Sequence, residues 1–260
     1  MQASNFDLTR YLQRIGFEGP ARPDIDTVAR MMRSQLQTVP FENLDVQAGK
    51  IVSMVPEDIV DKIVHRPRGG YCYEVNGLFA MALQALGVPY QFVACRPMFY
   101  PVRRPKTHMA LVLKLDGVQW LVDLGFGSHG IRQPMRLDGS GEAIQQGPDQ
   151  FRLTPTGDTH LLQAFSEGQW LNQYEFNLSP QEWVDFAPAN YLNSTHPDAI
   201  FVQKRLIIVH TPGGRHVLLG DTLKTHEAGQ VTQRTVAEPE LGGVLAELFG
   251  LTEAAAVKAP

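Results

Sequence analysis

The hydrophobic period of this chain changes at Gly87-Val88-Pro89, and that switch decides which folds remain open to it. Before it, apolar residues recur at helical spacing. Leu8, Tyr11, Leu12 and Ile15 form one stripe, with Asn5 or Asp7 as N-cap and Gly16 as a stop. Ile25, Val28, Ala29, Met32 and Leu36 form a second; Ile59, Val60, Ile63 and Val64 form a third, opened by Pro56-Glu57-Asp58. A fourth helix begins near Cys72, presents Leu78, Phe79, Ala82, Leu83 and Leu86, and ends at Gly87. Past Pro89 the segments 90–96, 108–115, 118–124, 161–165 and 170–176 read as strands, with Asp116-Gly117 and Glu167-Gly168 as turns. Segments 206–210 and 217–219 flank Pro212-Gly213-Gly214 as a further hairpin, and 241–249 reads as a closing helix. The polar stretches 137–150 and 225–238 are expected to be surface loops. The pattern is that of an α+β chain in three parts: a helical part over 1–88, a mainly β part over 89–200 and a mixed part over 201–260.

Composition removes several functions. With 43% hydrophobic and 19% charged residues the chain has enough apolar mass for a large core. A net charge of -4 does not fit a nucleic-acid binder, which needs a basic face. No run approaches the roughly 18 apolar residues of a membrane span, and the N-terminus has no basic region followed by an apolar one. Two cysteines make neither a disulfide framework nor a CxxC zinc site. A cytoplasmic protein with free thiols and no metal is the expectation.

The chemistry-bearing residues cluster around Arg68-Gly69-Gly70-Tyr71-Cys72-Tyr73-Glu74-Val75-Asn76. Two glycines permit a tight backbone before a helix, which leaves Cys72 in the first turn. The unpaired N–H groups and positive dipole end there favour a thiolate nucleophile and supply candidate oxyanion donors. A free cysteine can equally be a small core residue, and Cys95, in the apolar run Phe92-Val93-Ala94-Cys95, reads as one. The hairpin at Asp116-Gly117 adds a second observation. With Leu115 paired to Val118, His108 falls opposite Gly125, and Asp123 lies diagonal to it on the same face, within side-chain reach. A carboxylate in Trp120-Leu121-Val122-Asp123-Leu124 needs a partner. His129, in a Gly-rich loop, is the second-ranked base. The glycine pairs lack P-loop spacing, and there is no GxGxxG after a strand and no HExxH.

At these residues the chain resembles the arylamine N-acetyltransferases. The segment 68–76 is similar to that family's active-site segment. Val39-Pro40-Phe41-Glu42-Asn43-Leu44 resembles a second signature, Lys106-Thr107-His108-Met109 a third and Val122-Asp123-Leu124-Gly125-Phe126-Gly127 a fourth, in the family's order. Leu124 stands where the family more often has valine, an apolar exchange. The resemblance implies a thiol-protease-like core with Cys72, His108 and Asp123 as a catalytic triad. It implies an N-terminal helical bundle, a β-barrel-like middle domain and a C-terminal α/β lid. It also implies acetyl-CoA as co-substrate, arylamines, arylhydrazines or N-hydroxyarylamines as acceptors, and ping-pong transfer through an acetyl-cysteine. Phe41, Tyr71 and Phe126 are then candidates for the aryl-binding wall. Gly125 and Gly127 would admit the CoA arm, Arg103, Arg104 and Lys106 would meet its phosphates, and Arg68 with Glu42 would form an ion pair holding the Cys72 loop.

Two other readings share these residues. A thiol hydrolase or transglutaminase-type enzyme would use cysteine, histidine and aspartate in the same chain order, and a silent binding protein could keep the scaffold without the transfer. No feature of the sequence sets an oligomeric state.

Overall fold

Local signals start the helices, and burial completes them. The structure is a computed structural model and describes residues 1–252. The first part runs α1 (Leu8–Arg14), α2 (Ile25–Thr38), β1 (Phe41–Glu42), α3 (Leu44–Gln47), α4 (Pro56–Ile63) and α5 (Cys72–Leu86). Asp7 caps α1 by accepting from the Arg10 N–H at 2.8 Å, and Asp24 caps α2 by accepting from Thr27 at 2.8 Å. Each satisfies one of the donors that a helix start leaves unpaired. α5 is buried along nearly its whole length, and Gly87 ends it in the left-handed conformation at φ 75°.

Eight antiparallel strands follow. Seven are β2 (Tyr90–Pro97), β3 (His108–Leu115), β4 (Val118–Val122), β5 (Met135–Arg136), β6 (Ile144–Gln146), β7 (Asp149–Thr156) and β8 (Thr159–Ser166); the eighth is β9 (Gln169–Asn177). They form one sheet in the order β5-β4-β3-β2-β9-β8-β7-β6. Its two edge strands are not paired through backbone. The buried Gln146 side chain closes the gap instead: its oxygen accepts from the N–H groups of Arg132 and Gln133 at 2.7 and 3.0 Å, and its amide donates to the Gln133 carbonyl at 3.2 Å. The sheet is therefore barrel-like without being a closed ladder.

A 3-10 turn at Trp183–Phe186 leads into α6 (Ala187–Thr195) and α7 (Ile200–Gln203). Then come β10 (Leu206–Thr211), β11 (Gly214–Leu219), β12 (Thr222–Glu227), β13 (Gln230–Thr235) and α8 (Glu238–Phe249). β1 joins β10 to β13 in a second sheet, with Phe41 opposite Ile208 and Glu42 opposite Ile207. Two apolar clusters result: a large one between the helices and the first sheet, and a smaller one where α8 covers β10, β11 and β12.

The expectation of loops at 137–150 and 225–238 is corrected. Ile144–Gln146 and the start of β7 lie in the first, and the end of β12 and the whole of β13 in the second. All six β13 residues are exposed, so no buried face imposes the alternation by which a strand is read from sequence. The helices between 183 and 203 break the mainly β reading of the middle part.

Candidate active site

Cys72 opens α5, and the preceding turn has little freedom. A Cβ on Gly69 would lie 1.9 Å from the Pro40 carbonyl oxygen, and one on Gly70 2.6 Å from the Glu74 Cβ. Gly70 bonds residues 40–42 on both sides: its N–H donates to the Pro40 carbonyl, and its own carbonyl accepts from Glu42. Glu74 reaches back to accept the Tyr71 N–H at 2.9 Å. Beneath this turn lies a buried charge network. The Lys62 ammonium stands 2.7 Å from Glu74, 2.5 Å from Asp45 and 3.8 Å from Glu42. Arg68 is 2.7 Å from Glu42 and 3.4 Å from Asp45. Burial alone would depress Lys62, but Glu74, Glu42 and Asp45 carry it above its ordinary value. Three carboxylates face two cations, and Glu74 absorbs the mismatch: burial, with Glu42 adding to it, pushes its carboxyl up to about 7.

The β3–β4 hairpin has Leu115 opposite Val118 and Leu111 opposite Val122, and there the ladder stops. His108 pairs through its backbone with Cys95 of β2, and Asp123 lies just beyond the last β4 residue. Their side chains meet across the splayed end, His108 Nε2 to Asp123 Oδ2 at 2.7 Å, with 4% and 1% of the residues exposed. Nδ1 of His108 is thus left for another partner. Burial raises Asp123, but His108, the Asn76 amide at 3.0 Å and the Gly125 N–H at 3.0 Å outweigh it and hold the carboxyl below its usual range.

Asn76 had no assigned role in the sequence and is central to this geometry. Its Nδ2 donates to Asp123 and, at 2.8 Å, to the Met109 carbonyl; its Oδ1 accepts from Leu124 at 2.9 Å. One side chain one turn after Cys72 therefore ties the helix that Cys72 opens to both arms of the hairpin. Its spacing of four residues from Cys72 was the available signal.

The Cys72 sulfur does not have the lowered pKa expected of a helix start. Burial, with the Asp123 carboxylate adding to it, pushes the thiol up, against the N–H groups of Tyr73 and Met109 that hydrogen-bond the sulfur. Desolvation exceeds the dipole of one helix end.

Cys72 and His108 line one cavity of about 290 Å³. Phe126 lines it too, with its ring edge-on to His108 at 5.0 Å. Phe41 and Tyr71 do not reach it. Tyr71 is fully buried, its hydroxyl held by Asn190 and Ser194 of α6, and Phe41 packs behind the wall on Phe201 at 5.9 Å. Gly125 and Gly127 do line the cavity, but protein uses their clearance: a Cβ on Gly125 would meet Cys72 Cα at 2.6 Å, and one on Gly127 the Phe41 ring at 3.0 Å. Of the basic residues only Arg104 lines the cavity, its guanidinium 4.7 Å from the Tyr100 ring centroid. Arg103 turns outward to Glu175 at 2.7 Å, and Lys106 lies 3.4 Å from Asn177.

The far wall comes from α6, α7 and the residues between them: Leu192, Asn193, His196, Asp198 and Phe201. Sequence reasoning passed over these positions. Three asparagines fix the wall in place, Asn190 to the Val52 carbonyl, Asn193 to Thr107 and Asn43 to Phe201 and Lys204. Pro188 at a helix start was the one local cue.

His129 does not line the cavity that Cys72 and His108 share. Its Nδ1 accepts from Arg215 at 2.9 Å, and burial together with Arg215 pushes it down to about 4. Cys95 is fully buried and does not line the cavity. Among the described residues no group of three His, Cys, Asp or Glu side chains is placed to hold a metal ion, and no helix is long and apolar enough to cross a membrane.

Comparison with known proteins follows the same residues. The profile of an N-acetyltransferase family matches residues 24–256. An arylamine N-acetyltransferase from Mycolicibacterium smegmatis is 35% identical over 230 residues, 86% of this chain and 83% of that protein. The solved structure of the arylamine N-acetyltransferase from M. tuberculosis superposes with a TM-score of 0.91 at 33% identity, covering 95% of each chain. That of the Mycobacterium marinum enzyme in complex with CoA gives 0.90 at 32% identity, covering 95% of this chain and 94% of that one.

Proposed function

Because the chain belongs to the arylamine N-acetyltransferase family, we propose that it moves acetyl from acetyl-CoA to aromatic amines or hydrazines through a thioester on Cys72. The observation that carries this reading is the 2.7 Å His108–Asp123 contact on the wall of the cavity that Cys72 lines. With Nε2 committed to Asp123, His108 takes the thiol proton on Nδ1. Burial pushes the thiol up, which favours forming the thiolate together with the imidazolium rather than ahead of it. Sulfur attacks the thioester carbonyl, CoA leaves as its thiol with the proton from His108, and acetyl-Cys72 remains. An amine then attacks that carbonyl. His108 takes its proton, the C–S bond breaks, and the amide departs while the proton returns to sulfur. Asp123 keeps the imidazole in the required tautomer throughout.

Phe126 and Phe201 give the acceptor an aromatic wall, and Arg104 is the basic residue placed to meet the donor. The helix start carrying Cys72, packed on an antiparallel hairpin carrying His108 and Asp123, supports reading the core as thiol-protease-like. We read the chain as three parts over 1–88, 89–200 and 201–260, the last acting as a lid. Residues 253–260 of it lie outside the described residues. The first boundary falls beside Gly87, whereas the second cuts into α7. Two free buried thiols fit a cytoplasmic setting.

Intact-mass spectrometry after incubation with acetyl-CoA tests the assignment. One added acetyl group is expected, absent in Cys72→Ala and present in Cys95→Ala. Labelling lost in Cys95→Ala alone, or CoA release that does not respond to added arylhydrazine, would overturn it.

A further inference from the structure

A second cavity, of about 260 Å³, lies away from the first and shares no lining residue with it. Arg33 and Gln37 of α2 form one wall, and Arg132, Gln133 and His210 form the opposite one. Among the described residues no carboxylate lines it. Arg132, 7% exposed, pairs with Asp149 at 2.5 Å, and Arg215, 6% exposed, pairs with the same carboxylate at 2.8 Å. Among the described residues Asp149 is the only carboxylate within ion-pair distance of either arginine, so two buried guanidiniums share one counter-charge. The other two guanidinium nitrogens of Arg132 each donate one hydrogen bond, to the Thr211 and Gly214 carbonyls at 3.0 and 2.6 Å, which satisfies geometry without adding negative charge. One carboxylate between two buried guanidiniums leaves an excess of positive charge that favours a second anion.

His210 supplies an independent observation. Its residue is 8% exposed, it lines the cavity, and its Nδ1 has no hydrogen-bond partner among the described residues. Burial, with Arg132 and Arg215 beside it, pushes its pKa down to about 3, so the ring is neutral and Nδ1 can carry an N–H donor. Gln133 spends only its backbone, on Gln146, which leaves its amide free for the cavity. Arg33 is exposed at the mouth.

We infer that this cleft between α2, residues 132–133 and β10 is a binding site for a small oxyanion, a phosphate or carboxylate group held by Arg33, Arg132 and His210. The site is separate from acetyl transfer and does not depend on the catalytic assignment above.

Thermal unfolding of the whole chain at neutral pH tests it, with inorganic phosphate or acetate replacing chloride at constant ionic strength. A ligand that binds only the folded state raises Tm saturably. Phosphate is expected to do so, and Arg33→Glu and His210→Leu each to raise the half-saturating concentration about tenfold, the loss of one charge-assisted contact. Arg33 is exposed and His210 Nδ1 unpartnered, so both variants should keep their Tm in chloride. Saturation by acetate at lower concentration than phosphate would identify the oxyanion as a carboxylate and support the site equally. The KM for acetyl-CoA should be unchanged in Arg33→Glu. A rise in that KM alongside lost phosphate binding would give the cleft to the phosphates of CoA and overturn the inference. A response that does not saturate, or that is equal in all three proteins, would overturn it as well.

Discussion

Gly125→Ala is the perturbation whose size the structure sets most directly. The added Cβ would sit 2.6 Å from Cys72 Cα and 2.8 Å from a Val75 methyl. Carbon atoms rest about 3.5–4.0 Å apart, so the contact must open by roughly 1 Å. The nearest obstacle is backbone at the start of a buried helix and cannot rotate aside. Overpacking of this kind costs about 1–3 kcal/mol, which for a chain of this size lowers Tm by roughly 2–12 °C. The displaced atom carries the thiol that we propose as the nucleophile. Misplacing a reacting group by about 1 Å costs on the order of 100-fold in rate. Differential scanning fluorimetry reads the first effect, and CoA release with an arylhydrazine acceptor reads the second as kcat/KM. Gly127→Ala is the internal control: its Cβ meets the edge of the Phe41 ring at 3.0 and 3.2 Å, a side chain that can tilt, so the loss should be smaller. Unchanged rate and Tm in Gly125→Ala, or a larger loss in Gly127→Ala, would refute the reasoning.

Two further outcomes follow from the same geometry. In Asp123→Asn one oxygen can still accept from Asn76 and Gly125, but the amide donor faces His108 and forces the proton onto Nδ1, where sulfur needs an acceptor. Turnover should fall about 10³–10⁴-fold with the circular dichroism spectrum unchanged, and wild-type turnover would remove Asp123 from the mechanism. Glu74, pushed up from 4.5 to about 7, keeps a proton in the folded chain that the unfolded chain has lost between those values. Its contribution to stability therefore falls as pH rises through that window. Unfolding free energies measured across the window should decline more in the wild type than in Glu74→Gln, which still accepts the Tyr71 N–H; parallel curves would show that Glu74 does not titrate there.

The hairpin was legible because its turn chemistry is local. Asp116 and Gly117 take φ of 50° and 78°, the pair of positive values that a two-residue turn needs. With the turn placed, the register to Leu111 and Val122 follows, and with it the neighbourhood of His108 and Asp123. The pair distance did not follow from the ladder, which ends three residues past His108; it depends on Asn76 arriving from α5. Of the three aromatics read from the sequence as an aryl-binding wall, Phe126 lines the cavity and Phe41 and Tyr71 do not. Phe41, Tyr71 and Phe126 are all buried aromatics beside signature residues, and only three-dimensional packing separates the one facing the cavity from the two behind it. β1 has two residues and α7 four, too short for any period to show. The raised Cys72 thiol was illegible for a related reason: a helix start can be read from sequence, whereas the burial that overrides it cannot.

The pairing of β1 with β10 also bears on how the protein comes into being. Phe41 and Glu42 bond the Gly70 turn on one side and Ile208 and Ile207 on the other, so the backing of the Cys72 loop is a strand synthesised long after it. As the chain leaves the ribosome, the helices through α5 and the hairpin bearing His108 and Asp123 can form in order, since their contacts are local. The loop at Cys72 has no second strand to lean on until residue 208 has emerged. Contacts so distant in sequence close slowly, and domains that depend on them pass through incomplete intermediates. Competence to accept an acetyl group should thus be among the last properties the nascent chain acquires, after the helices through α5 and the β3–β4 hairpin are already in place.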